Sequence, residues 1–147
     1  MADRTVLHCM PLPRRLISLG PDATVHEAAL VMTRANCGSC LVLDPAGELV
    51  GIVTERDLMT RVLARALDPA RTPLAAVMTR QPRCVPPDMA VADAVVIMIE
   101  RGFRHLPVVA ANGKLLGVFS ARDALPREVG TALSLADFHE QVNDARL

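Results

Sequence analysis

One heptapeptide pattern occurs twice in the chain: Gly51-Ile52-Val53-Thr54-Glu55-Arg56-Asp57 and, 66 residues later, Gly117-Val118-Phe119-Ser120-Ala121-Arg122-Asp123. In each copy a glycine closes a short apolar run, a hydroxyl residue follows three positions on, and an Arg-Asp pair comes next. That order reads as strand, turn and helix start. A Ser or Thr side chain accepts from the unpaired N–H groups of a first helical turn, and a carboxylate there meets the positive end of the helix dipole. A helix N-terminus of this kind can hold an anion. At the same offset residues 17–58 align with residues 83–124 without a gap, and eleven positions are identical, among them Pro21/Pro87, Asp22/Asp88, Gly47/Gly113 and Leu49/Leu115. An internal repeat of this period is one structural unit that stacks on its own copy to complete a core, so two halves about one pseudo-twofold axis are expected.

The 147 residues suit one domain, or two half-sized units that depend on each other, and the 51% apolar fraction beside 22% charged residues supplies a core. A net charge of zero points neither to nucleic acid nor to a membrane surface. With no Trp or Tyr and three Phe, the chain lacks the aromatic platform that single-strand binders use. Residues 1–15 hold no apolar run of signal-peptide length, and no stretch approaches the roughly 20 apolar residues of a membrane span. A cytoplasmic location is expected, with Cys9, Cys37, Cys40 and Cys84 reduced.

Taken in order, residues 1–13 read as a lead-in arm and residues 16–19 as a short strand before the turn Gly20-Pro21-Asp22. Thr24 and Glu27 have capping-box spacing, and Val25, Ala28, Met32 and Ala35 keep one apolar stripe at helical period. Residues 40–43 and 48–53 flank the turn Asp44-Pro45-Ala46-Gly47 and predict a hairpin. Thr54 should start a helix through about Leu67, where Asp68-Pro69 ends it. Residues 69–78 read as a linker carrying a short helical turn at 74–78. The second unit repeats the order: a strand near 83–85, a helix through Val91, Ala94, Val95 and Met98, strands at 106–109 and 114–119, and a helix from about Ala121 that Pro126 shortens. Residues 131–142 support one more helix, without a counterpart in the repeat. The organisation expected is an arm (1–13), a first repeat (14–68), a linker (69–78), a second repeat (79–126) and a helical tail (127–147), each repeat running strand-helix-strand-strand-helix in an α/β fold, the two packed through their sheets.

This pattern resembles a tandem pair of cystathionine-β-synthase-type (CBS) domains, the arrangement called a Bateman module, over about residues 14–125. The resemblance rests on the two G-x-x-[ST]-x-x-D copies, on Cys40-Leu41-Val42-Leu43 and Leu106-Pro107-Val108-Val109 before each hairpin turn, and on Val77-Met78-Thr79 at the entry to the second unit. It implies a regulatory module, not an enzyme, that binds adenosine ligands (AMP, ADP, ATP, or S-adenosylmethionine or NAD) in clefts between the repeats. In such modules the motif aspartate takes the ribose hydroxyls, the motif Ser or Thr lies near ribose and phosphate, and a basic residue before the aspartate meets phosphate. These roles map to Asp57, Thr54 and Arg56, and to Asp123, Ser120 and Arg122. The chemistry agrees, since a carboxylate is a bidentate acceptor for a diol and the guanidinium fork suits phosphate oxygens. The resemblance further implies a first site joining the first motif to Cys84, Val85, Arg104, His105, Leu106 and Pro107, and a second joining the second motif to Ser18, Leu19, Gly38, Ser39 and Cys40. With Arg56, Arg104 and Arg83 near it, the first site is expected to prefer the more phosphorylated ligand. A homodimer and a regulated partner protein are implied as well.

Simpler accounts exist for each feature. Thr54/Asp57 and Ser120/Asp123 could be helix caps alone, worth about 1 kcal/mol each, but capping does not require the arginine that both copies keep. Cys37-Gly38-Ser39-Cys40 has C-x-x-C spacing and invites a redox or zinc reading. The repeat places Cys37 opposite Phe103 and Cys40 opposite Leu106, which are core-type positions, and a four-ligand zinc spacing is missing. His105 has no paired nucleophile nearby in sequence. His8, His26 and His139 read as surface residues, and the methionines as core filler. A ligand-independent dimerisation scaffold is the main alternative function.

Overall fold

The computed structural model describes residues 4–10 and 16–124. Its elements are α1 (Val6–Cys9), β1 (Ser18–Leu19), α2 (Val25–Ala35), β2 (Ser39–Leu43), β3 (Leu49–Thr54), α3 (Glu55–Asp57), β4 (Thr79–Arg80), α4 (Val91–Arg101), β5 (His105–Val109) and β6 (Leu115–Ser120). A π-helical turn (Leu58–Leu63) continues α3, and a 3-10 turn (Leu74–Ala76) precedes β4. The fold is α/β, built from two units of like order. The tail expected at 127–147 lies outside the described residues. None of the described helices is long and apolar enough to cross a membrane.

The long helices form where the apolar stripes predicted them. Thr24 Oγ1 accepts from Glu27 N at 3.1 Å while Glu27 Oε2 accepts from Thr24 N at 2.9 Å, so two orphan donors of α2 are satisfied reciprocally. Val25, Ala28 and Met32 turn inward, and Asn36 ends the helix in the left-handed conformation at φ 52°. Helix α4 buries the matching Val91, Ala94 and Met98 and ends at Gly102, φ 71°. Its N-cap is Ala90, which offers no side-chain acceptor.

Strands β2 and β3 pair antiparallel, as do β5 and β6, and both hairpins carry a register shift at the same place, Val42/Leu43 and Val108/Val109. β1 runs parallel to β2, with Ser18 opposite Leu41. The strand expected at 83–85 is reduced to a single parallel bridge between Val85 and Val108. The reason lies opposite it. Leu41 donates its N–H to Ile17 O at 2.9 Å, whereas the matching residue of the second unit is Pro107, which has no N–H to give.

The segments before each repeat contribute more than the sequence reading assigns them. Val6 N donates to Met89 O, Leu7 N to Pro87 O, and Arg4 O accepts from Val91 N; likewise Leu74 N donates to Ala23 O, Ala75 N to Pro21 O, and Thr72 O accepts from Val25 N. The segment leading into the first repeat is thus docked on the second, and the segment leading into the second is docked on the first. Val6 and Leu74 are both fully buried, Val6 with Met10 in the cluster of Val85, Leu106 and Phe119, and Leu74 with Val77 and Met78 in that of Val42 and Val53. Beyond Asp57 the helix expected to run to Leu67 widens, with Ala64 N bonded to Met59 O and Leu67 N to Val62 O. Thr60 Oγ1 donates to Arg56 O at 2.8 Å and so competes for the carbonyl an α-turn would use. β4, which the sequence reading does not include, pairs with β3 at Gly51↔Arg80 and Ile52↔Thr79. It lies where Gly51 leaves room: a Cβ there would stand 2.4 Å from Met78 Sδ.

Because Leu74 fills the first core from outside the first repeat, Leu74→Ala is expected to cost about 2–5 kcal/mol of global stability by denaturant titration. A loss confined to a local fraying of residues 69–78, with the midpoint unmoved, would show that the docked segment is not part of the core.

Candidate functional site

Each motif starts from the end of a strand, and each first amide is anchored on the loop before the preceding hairpin strand. Glu55 N donates to Gly38 O at 3.1 Å and Ala121 N to Arg104 O at 2.8 Å. Asp57 N donates to Thr54 Oγ1 at 3.3 Å, while Asp57 Oδ2 accepts from Thr54 N at 2.9 Å and from Thr54 Oγ1 at 3.2 Å. In the second motif Asp123 Oδ2 accepts from Ser120 N at 2.9 Å. Asp57 Oδ2 therefore caps the start of α3, and Asp123 Oδ2 closes the turn at residues 121–124 where a helix was expected, the rest of which lies outside the described residues. Glu55 and Asp57 amides are committed to protein acceptors, so positive charge at the first motif comes from arginines rather than from bare helix N–H groups.

Arg56 crosses to the other repeat, where its Nη1 lies 3.4 Å from Gly102 O. With Arg104, Phe103, Val95, Met98, Ile99, Ala121 and Ala124 it lines a cleft of about 420 Å³. The cleft opens where the second unit carries Ala121 and Ala124; the first unit has Glu55 and Leu58 at the matching positions. Its lining combines apolar side chains with two arginines, a combination suited to an amphiphilic anion.

Of the other residues expected at the first site, Val85, Leu106 and Pro107 are fully buried, the first two within the second core, and Cys84 is half-buried. At the second site Ser18 and Leu19 form β1 along β2, Ser39 and Cys40 are buried in β2, and Gly38 is half-buried. Arg122 is exposed. His105, read with the first motif, lies against Gly38: a Cβ on that glycine would stand 3.0 Å from His105 Nε2 and 3.2 Å from Glu55 Oε1.

Burial lowers the His105 imidazole below its ordinary 6.5, opposed by the carboxylates of Glu55 and Asp123 and assisted by Arg104. Burial raises the Asp123 carboxyl above 3.8, and hydrogen bonds from Ser120 together with His105 and Arg122 offset part of this. One carboxylate from each motif thus lies near enough to His105 to act on its charge.

The cysteines are free thiols, and no group of three or more metal-ligating side chains occurs among the described residues. Burial pushes the Cys40 thiol up to about 11, against a backbone hydrogen bond at Leu19, and also raises Cys84 despite Arg83. A thiol held protonated in this way is a poor nucleophile or metal ligand.

Sequence reasoning did not single out Glu55, Arg61 or Gly102. Arg61 stands four residues after Asp57 on a predicted helix, a spacing that marks an ion pair, and its Nε lies 3.6 Å from Asp57 Oδ1. Gly102 carried no signal, because its part is played by a backbone carbonyl.

A family model of the CBS domain matches residues 12–64 and again residues 74–129, and the chain belongs to that family as a tandem pair. It is 43% identical over 103 residues, 70% of its length, to an uncharacterised 17.7 kDa protein of Acidianus ambivalens, of which it spans 61%. Its fold is similar to that of a protein with CBS domains from Burkholderia ambifaria, at TM-score 0.77 and 30% identity, covering 82% of this chain and 90% of that one. It is also similar to a CBS domain protein of Pyrobaculum aerophilum solved in complex with AMP, at TM-score 0.75 and 27% identity, covering 90% of this chain and 99% of that one.

A His105 pKa depressed by folding means that the unfolded chain takes up a proton first. Its contribution is complete above pH 6.5 and is lost as the pH falls toward the lowered value. Thermal melts between about pH 7.5 and 5.5 should show the wild-type midpoint falling more steeply than that of His105→Gln. Parallel curves would mean that His105 does not carry this linkage.

Proposed function

We propose that this CBS pair is a regulatory sensor of adenosine ligands, without catalytic activity of its own. The observation that carries the reading is the cleft in which Arg56 of the first motif reaches Gly102 O of the second repeat and lines, with Arg104, a largely apolar hollow of that repeat. The Pyrobaculum relative solved with AMP supports an adenine nucleotide as the ligand class. In this reading Arg56 and Arg104 take phosphate, Asp57 and Thr54 take the ribose side, and apolar side chains including Phe103 cover the base. The second motif offers Asp123, Ser120 and Arg122 to a second ligand, S-adenosylmethionine or NAD being alternatives to a nucleotide there.

The output is transmitted through contacts. Leu30 on α2 and Val96 on α4 occupy matching positions in the repeat and are both exposed, as are Met59, Leu63 and Ile99. Apolar groups so placed fit a homodimer formed through the helical faces, with a regulated protein as the further partner. The cytoplasm is the compartment that goes with these ligands and with reduced thiols.

A thermal-shift panel of AMP, ADP, ATP, S-adenosylmethionine and NAD(H) tests the reading. A ligand at 100 times its dissociation constant should stabilise by about 2.7 kcal/mol. Arg56→Ala and Asp57→Ala should each weaken AMP about tenfold or more by calorimetry, since charged hydrogen bonds are worth about 1.5–3 kcal/mol, with Asp123→Ala acting on the other cleft. A module that only dimerises would show none of these shifts while keeping its oligomeric mass.

A further inference from the structure

Arg61 makes three contacts that belong to two different parts of the protein. Its Nη1 donates to Val77 O and to Met78 O, both at 3.0 Å, and its Nε faces Asp57 Oδ1 at 3.6 Å. Asp57 is only 7% exposed. Its Oδ2 is occupied by the Thr54 amide and hydroxyl. Oδ1 is therefore the oxygen open to a further donor, and Arg61 is the group that holds it. A diol donating to this carboxylate has to share Oδ1 with the guanidinium or displace it.

The other end of Arg61 reaches the covalent connection between the repeats. Val77 and Met78 sit between the 3-10 turn and β4, a strand of two residues that is held to β3 through Gly51↔Arg80 and Ile52↔Thr79. Met78 fills the space beside Gly51 on that strand, three residues before Thr54. The ion pair is long and its arginine is 40% exposed, so it is weak and readily exchanged. The two carbonyl bonds are of ordinary length and come from one nitrogen, so the arginine's position matters to the segment it clamps.

We propose that Arg61 is a latch between the Asp57 carboxylate and the inter-repeat segment 74–80, so that a donor taking Asp57 Oδ1 from Arg61 releases that segment from β3. The latch rests on the sensor reading only for the identity of what engages Asp57. Asp57→Asn removes the charge that holds Arg61 but keeps an oxygen for the Thr54 cap, so it mimics release without any ligand.

Hydrogen exchange of the 74–81 peptide in the full chain tests this. Arg61→Gln should speed exchange there about tenfold and Asp57→Asn about threefold, and the double variant should do no more than Arg61→Gln alone, because coupled groups are not additive. Arg61→Lys, which keeps the charge but not the forked donor set, should fall between wild type and Arg61→Gln. Saturating AMP on the wild type should reproduce the Asp57→Asn pattern and should leave Arg61→Gln unchanged. Unaltered exchange in Arg61→Gln, additive effects in the double variant, or calorimetrically proven AMP binding with no change at 74–81 would each overturn the latch. Absence of AMP binding alongside the expected variant pattern would instead remove the nucleotide reading and leave the latch standing.

Discussion

The carbonyls of Ala23 and Met89 hold the molecule together in a way that no single repeat could manage. Each accepts an N–H from a segment that belongs, by chain order, to the other half: Leu74 to Ala23 and Val6 to Met89. Behind each bond a fully buried side chain enters a core built by the other repeat. The same crossing supplies what the second long helix lacks. Ala90 cannot cap α4, yet the first helical amide, Val91 N, is met by Arg4 O, as Val25 N is met by Thr72 O on the first unit. Exchange of segments makes each half depend on the other, and it places the two motifs at a common junction.

At that junction the near-symmetry of the backbone is overlaid by unlike side chains. Matching positions carry Gly38 and Arg104, Ser39 and His105, Glu55 and Ala121. One side thereby gathers Arg56 and Arg104 beside an apolar cleft, while the other gathers Glu55 and Asp123 around His105.

The capping pairs were legible in the residues because their signals were local, and of the residues expected at the two sites Arg56 and Arg104 line the cleft. Thr54 with Asp57, and Ser120 with Asp123, are three apart, and three apart is the distance of a helix cap. What escaped was whatever depends on chain segments far apart in sequence. Arg56 meets Gly102 O, a backbone atom without a residue signature. His105 was assigned to one motif and lies against Gly38 near the carboxylates of both. Residues 5–10 looked like an arm because their partners stand some eighty residues away. A second alignment was present all the same: Thr5-Val6-Leu7-His8-Cys9-Met10 matches Pro73-Leu74-Ala75-Ala76-Val77-Met78 at an offset two residues longer than that of the repeats, which hid it from the gapless comparison.

The sequence by itself determined the repeat, the helices with their inward stripes, the hairpins and the capping carboxylates, because periodicity and caps are set by neighbours within about one helical turn. Tertiary structure alone decided which half each leading segment would complete and which arginines would line the cleft. It also decided that one strand would shrink to a single bridge opposite Pro107. These outcomes turn on donors and acceptors brought together from distant parts of the chain, and a hydrogen bond of that kind leaves no periodic trace in the order of residues.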